Sequence, residues 1–200
     1  MRAYRKRRYL LAGADTSLGK QSQIVMASDS VVIKAIAPSE FNKVAVLEHA
    51  LHPDAWQANA LFELYHQPSI NFMALGAYDN AQLVGYLLAQ CVDNAELLRL
   101  GVAKSYQGQG IAKRLMHQWL DGLLHSDPLS VAILEVRTDN TPAVKLYHQF
   151  GFAVIHTRKG YYRIGKQSFD AYVMQWQGGR WFFIGGLFGE GADKFVAEFC

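Results

Sequence analysis

Two glycines and two cations, Gly108, Gly110, Lys113 and Arg114, stand where a strand-like run, Leu97 to Val102, gives way to a helical one. Residues without a Cβ permit left-handed backbone and close approach, so successive N–H groups there can converge on one space at the mouth of a helix. That space suits an anion, and a phosphate in particular. Ile111, Leu115, Trp119 and Leu123 recur at helical spacing, which predicts a helix packed on a sheet that holds the loop rigid. Glycine also serves ordinary turns, so the pattern by itself points to anion binding without naming the ligand.

The elements that must position this loop follow from the remaining patterning. Val31 to Ile36 is a β-branched run, and Pro38 suits the first turn of a helix through about Leu51. His52-Pro53-Asp54 breaks that helix, with Asp54 placed to cap a second one whose Trp56, Ala60, Leu61 and Leu64 form a stripe. Asn71–Tyr78 and Gln82–Val92 read as a hairpin turned at Asp79-Asn80, followed by a strand over 95–103. Gly101 inside that strand marks a bulge or a close backbone contact. After the helix of about 108–124, Val131 to Arg137 forms a strand parallel to 95–103 across a right-handed crossover. Thr141 then caps a helix with Pro142 at its first position, Gly151 ends it, and Phe152–Thr157 and Ser168–Trp176 close the sheet.

The chain has 200 residues, half of them hydrophobic, enough for one ordinary domain with room for extensions. Its net charge of +3 does not argue for nucleic acid, although Arg2, Arg5, Lys6, Arg7 and Arg8 gather at the start. Residues 1–30 read as a basic arm, with the folded part beginning near Met26 and the domain proper spanning 31–176. The apolar run Tyr9–Ala14 is short and interrupted by Asp15, so export is not expected, and no stretch approaches the ~20 apolar residues of a membrane helix. Cys91 and Cys200 make no disulfide framework, which fits a reducing cytoplasm. None of the seven histidines has metal-like spacing, so no metal is assigned. From Gln177 to Cys200 glycines interleave with aromatic residues; the pattern fits a packed add-on, a partner-binding segment or a disordered end.

Gln107-Gly108-Gln109-Gly110-Ile111-Ala112, with the element order above, resembles the glycine loop of the GCN5-related N-acetyltransferases (GNAT). Leu134–Arg137, Asn140, Ala143, Leu146-Tyr147, Gly151-Phe152, Arg158, Tyr161-Tyr162, Asp170-Ala171 and Met174 extend the likeness to the RimI-type ribosomal-protein-alanine N-acetyltransferases, over about residues 31–176. The resemblance implies an α/β fold, a mixed and mostly antiparallel sheet with a central splayed parallel strand pair flanked by helices. It implies acetyl-CoA as co-substrate, with Leu100, Gly101 and Val102 at the acetyl and pantetheine end, Gly108, Gln109, Gly110, Ile111, Ala112 and Lys113 at the pyrophosphate, and Asn140 at the pantetheine. It makes Glu135 the general base and Tyr147 the general acid, and turns Trp56, Arg158, Tyr161 and Tyr162 toward a peptide. The implied substrate is the α-amino group of a protein, a ribosomal protein with N-terminal alanine being favoured.

Read without the resemblance, Glu135 ends a strand in a salt bridge, Tyr147 belongs to the core stripe Ala143, Leu146, Tyr147, Phe150, and Asn140 is a turn residue. A small amine or a protein lysine remains as an alternative acceptor, and an acyl-CoA-binding module without turnover as a non-enzymatic one. The family's usual Pro-Trp pair in the first interhelical loop is replaced by Pro53-Asp54-Ala55-Trp56, which bears on the substrate more than on the chemistry.

Overall fold

In the computed structural model, residues 30–126 and 131–177 are described; the basic arm and the glycine-aromatic tail fall outside them. One seven-stranded sheet runs in the order β1-β2-β3-β4-β5-β7-β6, from β1 (Val31–Ala35), β2 (Asn71–Asp79), β3 (Gln82–Cys91), β4 (Ala95–Val102), β5 (Val131–Arg137), β6 (Ala153–Ile164) and β7 (Gln167–Gln177). Only β4 and β5 are parallel, joined across α3 (Ile111–Ser126); every other neighbouring pair is antiparallel. This is the mixed sheet with a central parallel pair that the sequence predicts.

Side chains alternate along a strand, so β3 sends Leu87 and Ala89 to one face and Tyr86 and Leu88 to the other. The first face is covered by α3, through Ile111, Leu115, Trp119 and Leu123, and by α4 (Thr141–Gln149), through Tyr147. The second is covered by α1 (Phe41–Leu51) and α2 (Ala58–His66), through Phe41, Val44 and Leu61. Each fully buried leucine here contributes about 2 kcal/mol, and those of α3 hold it against the sheet. Among the described residues no helix is long and apolar enough to cross a membrane. Cys91 is buried at the end of β3 and is not a free thiol, against the expectation of reduced cysteines; Cys200 lies outside the described residues.

Several local expectations change. A short 3-10 turn, Pro38–Glu40, precedes α1, which ends where His52 turns extended before Pro53. Asp54 does not cap α2, because Arg99 takes its carboxylate; Gln57 sits at that position without a side-chain capping bond. Asn140, not Thr141, caps α4, its Oδ1 accepting from the Ala143 N–H at 3.3 Å. Gly101 is a close contact and not a bulge, since the β3–β4 register shift falls at Leu88/Ala89. Arg158, Tyr161 and Tyr162 lie in β6, which runs far beyond Thr157 and bulges around Gly160, whose N–H donates to Asp170.

Candidate active site

The parallel pair stops early: Ala95, Glu96 and Leu97 face Ala132, Ile133 and Leu134, and the remainder of each strand pairs only with its outer neighbour. A wedge opens beyond Leu97 and Leu134, and a cavity lies on either side of it. One is a groove of about 690 Å³, lined by Leu100, Gly101, Val102, Gly108, Gly110, Ile111, Ala112, Lys113, Asn140 and Tyr147. The other is a cleft of about 420 Å³, lined by Leu100, Glu135, Asn140, Tyr147, Tyr162 and the loop residues His52, Pro53 and Asp54. Leu100, Asn140 and Tyr147 belong to both.

The groove begins at the glycine loop. Gly108 and Gly110 have φ of 77° and 80°, a left-handed backbone that other residues adopt at a cost, and no atom lies within 4 Å of where a Cβ would project. The Gly110 carbonyl accepts the Arg114 N–H at 3.1 Å, so the free N–H groups of the first turn of α3 border an open space. Lys113 lines that space; Arg114 is turned away, donating to the Val31 carbonyl at 2.7 Å. The Gln109 side chain is not in the lining, and its Nε2 donates to Ser105 O at 3.1 Å. A second cation, Lys145 on α4, and Tyr106 join the groove walls. Nothing in the sequence singles out Lys145 until α4 is set facing α3.

On the cleft side, the Glu135 side chain is 21% exposed and its Oε1 lies 2.7 Å from Nη1 of Arg158. Arg158 stands over the ring of Tyr161, and the Tyr161 hydroxyl is hydrogen-bonded to Glu135, which raises its pKa above the usual tyrosine value. The salt bridge expected of a strand-end carboxylate therefore exists, in a residue that also lines the cleft. Arg137 pairs with Asp139 at 2.6 Å and Arg99 with Asp54 at 2.9 Å, so the three lining carboxylates all have arginine partners. Burial raises the pKa of Asp54, but the hydrogen bond and charge of Arg99 outweigh it and leave the group below the usual range. Tyr147 is 7% exposed, and burial, with a smaller contribution from Tyr162, raises its pKa. Its hydroxyl has no hydrogen-bond partner among the described residues. The core tyrosine of the helical stripe thus also stands at the junction of the two cavities.

Of the residues placed toward a peptide, Tyr162 lines the cleft, whereas Arg158 and Tyr161 stand behind it around Glu135. Trp56 is not in the lining; its ring underlies the Arg99 guanidinium at 5.2 Å. Among the described residues no group of three or more His, Cys, Asp or Glu could hold a metal ion.

Residues 41–152 match the Acetyltransferase (GNAT) family. The chain is 32% identical over 155 residues to the N-alpha-acetyltransferase RimI of Mycobacterium tuberculosis, covering 74% of this chain and 93% of that one. It is 31% identical over 132 residues to the [Ribosomal protein bS18]-alanine N-acetyltransferase of Haemophilus ducreyi, covering 66% and 88%. In fold it is similar to the crystal structure of the ribosomal-protein-S18-alanine N-acetyltransferase from Escherichia coli, with a TM-score of 0.66 at 22% identity over 76% of this chain and 99% of that one.

Proposed function

Since this chain belongs to the acetyltransferase (GNAT) family, we propose that it transfers the acetyl group of acetyl-CoA to the α-amino group of a protein N-terminus, a ribosomal protein that begins with alanine being the favoured target. The observation that carries the reading is the meeting of an anion-cradling groove and a peptide-sized cleft at Leu100, Asn140 and Tyr147. When bound, acetyl-CoA supplies the thioester carbonyl that the amine attacks. The open first turn of α3 with Lys113 suits the pyrophosphate, and the unpaired edge of β4 at Leu100 to Val102 suits the amide-rich arm.

Glu135 is the group that takes the proton of the incoming amine, directly or through one water. The demand is modest for an α-amino group, of which about a fifth is neutral at pH 7.4, against about one part in a thousand for a lysine. Tyr147, kept protonated by burial, donates to the departing sulfur. More of the rate comes from holding amine and thioester in line. The paired state of Asp54, Glu135 and Asp139 disfavours a polyamine, whose charges need free carboxylates. A ribosomal target places the reaction in the cytoplasm.

The test is acetyl transfer to alanine-started peptides, to N-blocked lysine peptides and to polyamines, followed by mass spectrometry of ribosomal proteins with and without the enzyme. Transfer to free N-termini is expected; activity confined to polyamines overturns the reading. A thiolate with a pKa near 8.5 needs little help in leaving, so Tyr147→Phe is expected to lower kcat only about tenfold. Because burial raises the tyrosine pKa, the wild-type kcat keeps its proton donor through pH 10, and a pH–rate profile that falls there through ionisation of Tyr147 contradicts the assignment. Gly110→Ala must hold a left-handed backbone at about 1 kcal/mol, and calorimetry is expected to show about tenfold weaker acetyl-CoA binding, with unchanged affinity counting against the cradle.

A further inference from the structure

Glu48 on α1 has a fully buried carboxylate, 0% exposed, where the other charged groups among the described residues reach water. A buried carboxylate is retained only with partners that offset its lost hydration. Its Oε1 accepts from the Tyr86 hydroxyl, and its Oε2 accepts from the backbone N–H of Trp56 at 3.1 Å. Nε of Arg99 lies 3.9 Å away and Nε2 of His52 3.8 Å. Arg99 passes the contact on, donating through Nη2 to the Asp54 carbonyl at 3.1 Å and to its carboxylate at 2.9 Å, while its guanidinium rests over the Trp56 ring.

These bonds converge on residues 52–57, which join α1 to α2 and supply His52, Pro53 and Asp54 to the cleft wall. At the same time Tyr86 packs where a Cβ of Gly101 would stand, behind the part of β4 that lines the groove. We infer that Glu48 is the positioning residue that sets this loop against β4, and so fixes the acceptor wall of the cleft at a defined distance from the groove. The identity of the acceptor rests on the proposed function; the placement of the loop does not. Glu48 touches neither cavity, so it acts through the Trp56 N–H and through Arg99, not on the reacting atoms. With the carboxylate replaced by an amide, Arg99 keeps Asp54, at the cleft mouth, and the Trp56 ring, and the loop loses its buried charge.

The test compares Glu48→Gln with the wild type in the full chain, by hydrogen exchange and by kinetics at a temperature where both are folded. Exchange in segment 52–57 is expected to rise about tenfold, with residues 100–113 unchanged. KM for the acceptor is expected to rise about tenfold, with kcat and KM for acetyl-CoA within about twofold. A residue that serves only the stability of the fold lowers Tm and leaves this split absent. Should Glu48→Gln fail to fold, Asp54→Asn, at an exposed carboxylate, breaks the same clamp and is expected to raise the acceptor KM; where both fold, their effects are non-additive. Unchanged exchange in 52–57, or an unchanged acceptor KM, overturns the inference. A wild type inactive on every N-terminal peptide overturns the proposed acceptor instead, and the exchange measurement still decides the role of Glu48.

Discussion

Glu135→Gln is expected to lower kcat/KM for an alanine-started peptide about 10²-fold to 10³-fold near neutral pH, the range for removal of a positioned general base. The amide keeps the shape of the carboxylate and still accepts a hydrogen bond, but it takes no proton from an ammonium group and leaves Arg158 without its ion pair at 2.7 Å. Glu135 lines the cleft and not the groove, so acetyl-CoA affinity, measured by calorimetry, is expected to stay within about twofold. Raising the pH increases the neutral fraction of the α-amine, and the deficit is expected to shrink accordingly. A variant that retains a third of wild-type activity at neutral pH removes Glu135 from the chemistry and leaves it a strand-end carboxylate paired with arginine.

Much of this site was legible before any coordinates, for reasons that differ among residues. The glycine loop was readable because positive φ and helix periodicity are local properties, and Gly108, Gly110, Ile111 and Leu115 express both within eight residues. The parallel crossover was readable because an α-helix between two strand-like runs leaves few topologies. What was hidden depends on distant pairs. Asp54 looked like a helix cap because capping is a local rule, yet Arg99, far along the chain, claims its carboxylate. Arg114 looked like part of the anion site by adjacency to Lys113, but consecutive helical residues point apart, and its guanidinium reaches β1. Glu48 carried no sequence signal at all. A glutamate on an amphipathic helix reads as solvated surface, and only the meeting of Tyr86, Trp56 and Arg99 around it shows otherwise.

The same network makes Gly101 the position least able to accept a side chain. In Gly101→Ala the new Cβ would stand 2.5 Å from the Tyr86 hydroxyl oxygen and 2.6 Å from two of its ring carbons. Tyr86 is fully buried and its hydroxyl is held by Glu48, so the ring has nowhere to retreat without breaking that bond. Overpacking of about 1–3 kcal/mol then adds to the cost of leaving a buried carboxylate short of a donor, about 1–3 kcal/mol more. Destabilisation of about 3 kcal/mol or more is expected, a fall in Tm of roughly 6–12 °C for a chain of this size. Tyr86→Phe does not rescue it, because the crowded ring carbons remain. Tyr86→Leu removes the ring, so the alanine is expected to cost much less in that background than in the wild type, a coupling that a thermal double-mutant cycle reads directly. A Tm for Gly101→Ala within about 2 °C of the wild type means that β4 shifts freely over β3, and a strand that shifts freely there cannot hold a groove lined by Leu100, Gly101 and Val102 in register with a cleft wall anchored through Glu48.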